Sequence, residues 1–121
     1  MTDGSGDDEV GRDLGPVYDR ALALSRVGNN PAIADELLAL MLAELPSQRE
    51  ELVSAFSARE HAGLRRLAHR LRGSAGCCGM PRLEHACHAV EMAVDARAEA
   101  DLPLLVAVLV EQVDAVLALK C

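Results

Sequence analysis

Apolar residues recur at helical spacing in four long stretches of the chain, and nowhere do they alternate as a half-buried strand requires. Asn30-Pro31 is an N-cap and first-turn pair, after which Ile33, Leu37, Leu40, Met41 and Leu45 repeat every three or four residues. Leu52, Val53 and Phe56 continue that periodicity beyond Pro46, so the spacing predicts one long helix over 31–58, kinked at the proline. Leu64, Leu67, Ala68, Leu71, Ala75 and Cys78 form one stripe of a second helix over 60–78, which Gly79 caps and Pro81 blocks. A third helix runs over 81–97 with Leu83, Cys87, Val90 and Val94 inward. Asp101 caps a fourth over 101–119, with Leu102, Leu105, Leu109, Val113 and Val116 as its stripe. Four amphipathic helices joined by short loops predict an all-α fold, an antiparallel up-down four-helix bundle.

Two segments flank this pattern. Tyr18, Ala21, Leu22 and Leu24 make a short extra helix within 17–27 that covers one end of the bundle. On the fourth helix Val106, Val110 and Leu117 add a second apolar face, and the 17–27 segment is expected to pack there; a homodimer or a neighbouring domain is the other reading, and the chain is expected to be mostly monomeric. Residues 1–15 have no apolar period and carry five acids against Arg12, −4 of the net −7, which reads as a disordered acidic tail or linker before a domain over 16–121.

Composition narrows the picture further. Half of the 121 residues are apolar but only Tyr18 and Phe56 are aromatic, so the core is built from Leu, Ala, Val and Met. No apolar run suits a leader peptide or a membrane span, and the expected location is cytoplasmic, without membrane contact by this segment. The four cysteines lack the spacing of a secreted disulfide framework and are read as reduced, with Cys78 and Cys87 in the core and Cys77 and Cys121 more exposed.

Candidate chemistry gathers on the outer face of the second helix. His69 points away from the apolar stripe, with Arg65, Arg66 and Arg72 around it and Gly73 and Gly76 on its C-terminal side. Glycine inside a helix costs about 1 kcal/mol relative to alanine. Two on the exposed face therefore suggest the close approach of a partner. Residues 59–82 hold six of the twelve basic residues against the single acid Glu60, a positive patch on an acidic protein that suits an acidic partner surface or a phosphoryl group, with Arg65, Arg66 and Arg72 as the candidates nearest His69. The net charge and the absence of interleaved aromatics argue against nucleic acid. His61, His85 and His88 read as solvated surface residues, and no metal site is expected.

The run from Ala68 to Leu83, Ala-His-x-Leu-Arg-Gly-Ser-Ala-x-x-x-Gly-x-x-x-Leu, followed by Cys87-x-x-Val90-Glu91, resembles the histidine-containing phosphotransfer (HPt) domains of bacterial phosphorelays. In style it is nearest the module at the C-terminal end of unorthodox hybrid sensor kinases of the GacS/BarA type. It departs from the family pattern at Arg72, where lysine is usual.

The resemblance implies a phosphorelay intermediate in which His69 accepts a phosphoryl group from a receiver-domain aspartate and passes it to a response-regulator receiver. A neutral imidazole is a good nucleophile near pH 7, and its phosphoramidate stays high enough in energy to be passed on. Nothing in the chain supplies a nucleotide loop or a pair of clustered carboxylates near His69. By the resemblance, Mg²⁺ and the aspartate belong to the partner receiver, and the chain is a phosphocarrier, not an enzyme. The alternative is a helical adaptor that docks through the His69, Gly73 and arginine face without chemistry.

Overall fold

A computed structural model describes residues 15–119, and they form α1 (Arg20–Ser25), α2 (Pro31–Ser57), α3 (His61–Cys77), α4 (Pro81–Asp95), a 3₁₀ turn (Glu99–Asp101) and α5 (Leu102–Leu117). No strand occurs among the described residues. Helix α2 packs on α3 and α5, and α4 packs on the same two, which closes the four long helices into a bundle. The loops are too short for anything but antiparallel neighbours. No helix among the described residues is long and apolar enough to cross a membrane.

The ends of the helices follow from local chemistry. The Asn30 side chain accepts from the amides of Ala32 and Ile33 at 3.0 and 3.3 Å, while Pro31 occupies the first turn, where its missing N–H costs nothing. Helix α2 then runs unbroken through Pro46, on the exposed side of the bundle. At the end of α3 the Met80 amide donates to Ala75 O at 2.9 Å and the Gly79 amide to Gly76 O at 3.4 Å, with Gly79 in the left-handed region at φ +70°. The same motif ends α2 and α4, with Arg59 and Arg97 in the left-handed position instead of glycine. Asp101 makes no side-chain cap bond, contrary to the sequence expectation, because the 3₁₀ turn carries the chain into α5.

Leu45 and Leu52 from α2, Leu64 and Leu71 from α3, Leu83 and Val90 from α4, and Leu109, Val113 and Val116 from α5 are fully buried in one core. Each such side chain contributes roughly 1.5–3 kcal/mol.

The short helix α1 lies over the turn between α3 and α4, at one end of the bundle. The Asp19 amide donates to Gly79 O at 2.8 Å, and the Asp19 carboxylate caps α1 through the Leu22 amide at 3.0 Å. Arg20 pairs with Asp35 of α2, and Arg26 Nη1 donates to Gly76 O at 3.1 Å. The expected seat of this segment, the second face of α5, is taken up by the bundle: Val106 is buried in the core, with Val110 and Leu117 half-buried against it. The acidic segment falls on residues 1–14, outside the described residues; Gly15 is within them, and its carbonyl accepts from Arg82 Nε at 2.6 Å.

Candidate functional site

Helix α3 presents His69 on the side away from its buried stripe of Leu64, Ala68, Leu71 and Ala75, and the imidazole side chain is 59 % exposed. Its inner edge is not free. His69 Nδ1 lies 2.9 Å from Oε1 of Glu91, which α4 buries to 4 % exposure beneath the ring. A carboxylate only accepts, so the hydrogen sits on Nδ1 and the Nε2 lone pair is left facing outward.

Two arginines of α3 reach the same carboxylate. Arg72 Nε stands 3.0 Å from Glu91 Oε2, and Arg65 Nη2 stands 4.0 Å from Oε1. Arg65 gives its two-pronged contact to Asp95 instead, at 2.7 and 3.2 Å. Its hydrogen bonds hold the Asp95 carboxyl below the ordinary carboxylate range, and Asp95 in turn raises the Arg65 guanidinium. Arg72 also extends Nη1 to Nδ1 of His88 at 2.7 Å. His69, Glu91, Arg72 and His88 therefore form one chain of contacts across α3 and α4.

The remaining predicted residues separate. Arg66 is exposed along the seam between α2 and α3, with Glu60, Gly63 and Arg70. Gly73 is open: a Cβ there would meet nothing within 4 Å. Beside it a groove of about 300 Å³ runs between α2 and α3, lined by Leu37, Leu40, Met41, Arg70 and Cys77 among others. Gly76 is corrected. It is buried under Arg26, and a Cβ would come 3.3 Å from Glu84 Oε2, so it offers no approach to a partner.

Sequence reasoning assigned no role to Glu91. The readable signal is an acidic residue at an inward position of α4, next to Val90 and one turn after Cys87. His88 is also corrected: it is exposed but not merely solvated, since it accepts from Arg72. His61 is half-buried, 3.7 Å from Glu99, and His85 is exposed. Among the described residues no group of three or more His, Cys, Asp or Glu is placed to hold a metal ion.

The sequence and the fold are similar to those of known proteins. The sensor histidine kinase GacS of Pseudomonas protegens is 34 % identical over 83 residues, 69 % of this chain and 9 % of the kinase. The signal transduction histidine-protein kinase BarA of Escherichia coli K12 is 32 % identical over 73 residues, 60 % of this chain and 8 % of that protein. The chain thus spans less than a tenth of the length of these relatives. The crystal structure of an HPt domain from a sensor hybrid histidine kinase of Shewanella superposes with a TM-score of 0.79 at 23 % identity, covering 84 % of this chain and 88 % of that one, which shows the shared fold. From the second turn of α2 to the residues just past α5, positions 36–119 match the Hpt domain family model, and the chain belongs to that family.

Proposed function

We propose that this domain is a phosphorelay intermediate: His69 takes a phosphoryl group from a receiver-domain aspartyl phosphate and passes it to the aspartate of a response-regulator receiver. The observation that carries the reading is the pairing of an exposed imidazole with a buried carboxylate on its Nδ1 side. A docking surface without chemistry has no use for a device that fixes a tautomer, which disfavours the adaptor alternative.

The step balances without a proton leaving. The Nε2 lone pair attacks phosphorus, the bond from phosphorus to the aspartyl oxygen breaks, and its electrons return to the receiver carboxylate. The ring becomes cationic with hydrogen still on Nδ1, and Glu91 stabilises that charge at 2.9 Å. Transfer onward is the reverse on a second receiver. The chain holds the carrier while the receiver brings the aspartate and its Mg²⁺, so the domain is a phosphocarrier without a complete catalytic site. Receivers approach over Gly73 and the groove beside it, where Leu40 is 57 % exposed. The exposed Arg66 and Arg70 steer the acidic face of the receiver.

The test is incubation with a phosphorylated receiver and Mg²⁺. Acid-labile, alkali-stable phosphate should appear on the wild-type domain and be absent from His69→Gln, which should stay folded because the side chain is more than half exposed and the glutamine amide can donate to Glu91 in place of the ring N–H. Equal uptake by His69→Gln sinks the proposal.

A further inference from the structure

Arg72 touches two groups but aims at one of them. Its Nε is within ion-pair distance of Glu91 Oε2, at 3.0 Å, yet that oxygen, fully buried, accepts no hydrogen bond. The N–H that is well directed is on Nη1, pointed at His88 Nδ1 at 2.7 Å. The guanidinium thus spans the two groups, with its directed N–H on the ring nitrogen and its Nε beside the carboxylate. Only a fork can reach both groups, because Nε and Nη1 diverge from one carbon, whereas a lysine ammonium is a single point.

We propose that His88 is a positioning residue that holds Arg72 back against Glu91 and away from the phosphoryl group on His69, and so keeps the phosphohistidine high in transfer potential. The inference rests on the carrier reading of His69. A guanidinium three residues along the same helix face lies within reach of a group on Nε2, and charge-assisted bonds to phosphoryl oxygens are among the strongest available. If Arg72 made them, phospho-His69 would be stabilised and would become a poorer donor to the next receiver. His88 removes that option by engaging Nη1, while Glu91 keeps one oxygen for the imidazole and the other beside Nε.

His88 is exposed, so its replacement should leave the fold intact, and the readout is an equilibrium. With receiver, Mg²⁺ and domain mixed, the ratio of phosphohistidine to phosphoaspartate is measured for the wild type, His88→Leu, His88→Asn, Arg72→Gln and the double variant His88→Leu/Arg72→Gln. His88→Leu frees Arg72 and should shift the ratio toward phosphohistidine about tenfold or more, the scale of one added charge-assisted bond. His88→Asn, which offers a carbonyl oxygen near the position of Nδ1, should restore most of the wild-type ratio. In the Arg72→Gln background, His88→Leu should have no effect. An unchanged ratio in His88→Leu, or the same shift with and without Arg72, overturns the assignment while the wild-type uptake leaves the carrier reading standing. A wild-type domain that takes up no phosphate overturns the carrier reading and this inference with it.

Discussion

Gly73 and Gly76, three residues apart on α3, have opposite surroundings. A Cβ on Gly73 would meet nothing within 4 Å, whereas one on Gly76 would press on Glu84 Oε2 at 3.3 Å and lie 3.8 Å from Arg26 Nη1. Helix geometry alone sets both glycines on the side away from the apolar stripe, but Arg26, fifty residues earlier in the chain, folds over the second. One glycine is thus open to solvent, and the other is occupied from within.

Gly73→Ala should stabilise the isolated domain by up to about 1 kcal/mol through helix propensity, with little loss of transfer. Gly73→Gln should keep most of that stability and slow transfer by obstructing the receiver. Thermal melting beside transfer kinetics decides the matter: destabilisation in both variants, with activity falling only as the folded fraction falls, would make Gly73 a packing residue.

Gly79 is a different case, because its neighbours are backbone. A Cβ there would come within 2.6 Å of Asp19 O and 2.7 Å of Ala23 N, at a φ of +70°. Gly79→Ala should therefore cost about 2 kcal/mol or more, from left-handed strain and from displacement of α1. Amide exchange should show α1 losing protection before α3. A melting temperature equal to wild type would mean that α1 adds nothing to the bundle.

The four long helices are legible in the sequence because each has an apolar stripe of helical period, and three begin at or beside a proline that the first turn tolerates. The ends agree with the expectation to within two residues or so, since Gly79 with Pro81 and Asn30 with Pro31 are strong local signals. His69 is legible because exposure can be read from one helix. Glu91 is legible as an anomaly on α4 but not as a partner, because which cations face it depends on how α3 and α4 pack. The placement of α1 is hidden for the same reason: it is fixed by the Gly79 carbonyl and by Arg26 reaching Gly76, contacts that no periodicity encodes.

Burial pushes the Cys87 thiol up to about 12 and raises that of Cys78, whose Sγ donates to Leu37 O at 3.6 Å. The thiolate is the reactive form, so in a Cys121→Ser background one cysteine, the exposed Cys77, should be alkylated at pH 8 in the native state, and all three after denaturation. Rapid native labelling of Cys87 would contradict the packing of α4. If Cys77 lines the receiver groove, its alkylation by a bulky reagent should also slow transfer.

Asp95 gives a pH dependence whose sign can be worked out. The hydrogen bonds from Arg65 lower its folded value below the unfolded one, so the pair stabilises at pH values above the ordinary carboxyl range, and that contribution fades as the pH falls through the folded value. Asp95→Asn should lower the melting temperature slightly at pH 7, and the difference from wild type should vanish in strong acid. A difference that grew on acidification would refute the pairing. At neutral pH the same variant releases Arg65 toward Glu91, already 4.0 Å away, which should show as a change in transfer rate.

Glu91 decides whether the buried carboxylate matters to the chemistry or only to packing. Glu91→Gln keeps the shape and an oxygen that can accept from His69 Nδ1, but it removes the charge that stabilises the ring once phosphorylated. Glu91→Ala removes the acceptor as well, and the imidazole tautomer is no longer fixed. Hydrogen bonds to charged groups are worth about 1.5–3 kcal/mol, so Glu91→Gln should slow transfer about tenfold or more and Glu91→Ala further still. Neither needs to unfold the domain, because Arg72 is 33 % exposed and can turn to water when its partner is lost. Nitrogen chemical shifts of the ring supply the independent readout: hydrogen on Nδ1 in the wild type and Glu91→Gln, and a mixture of tautomers in Glu91→Ala. A Glu91→Ala variant that keeps both the Nδ1 tautomer and the wild-type rate would show that the carboxylate beneath His69 takes no part in transfer.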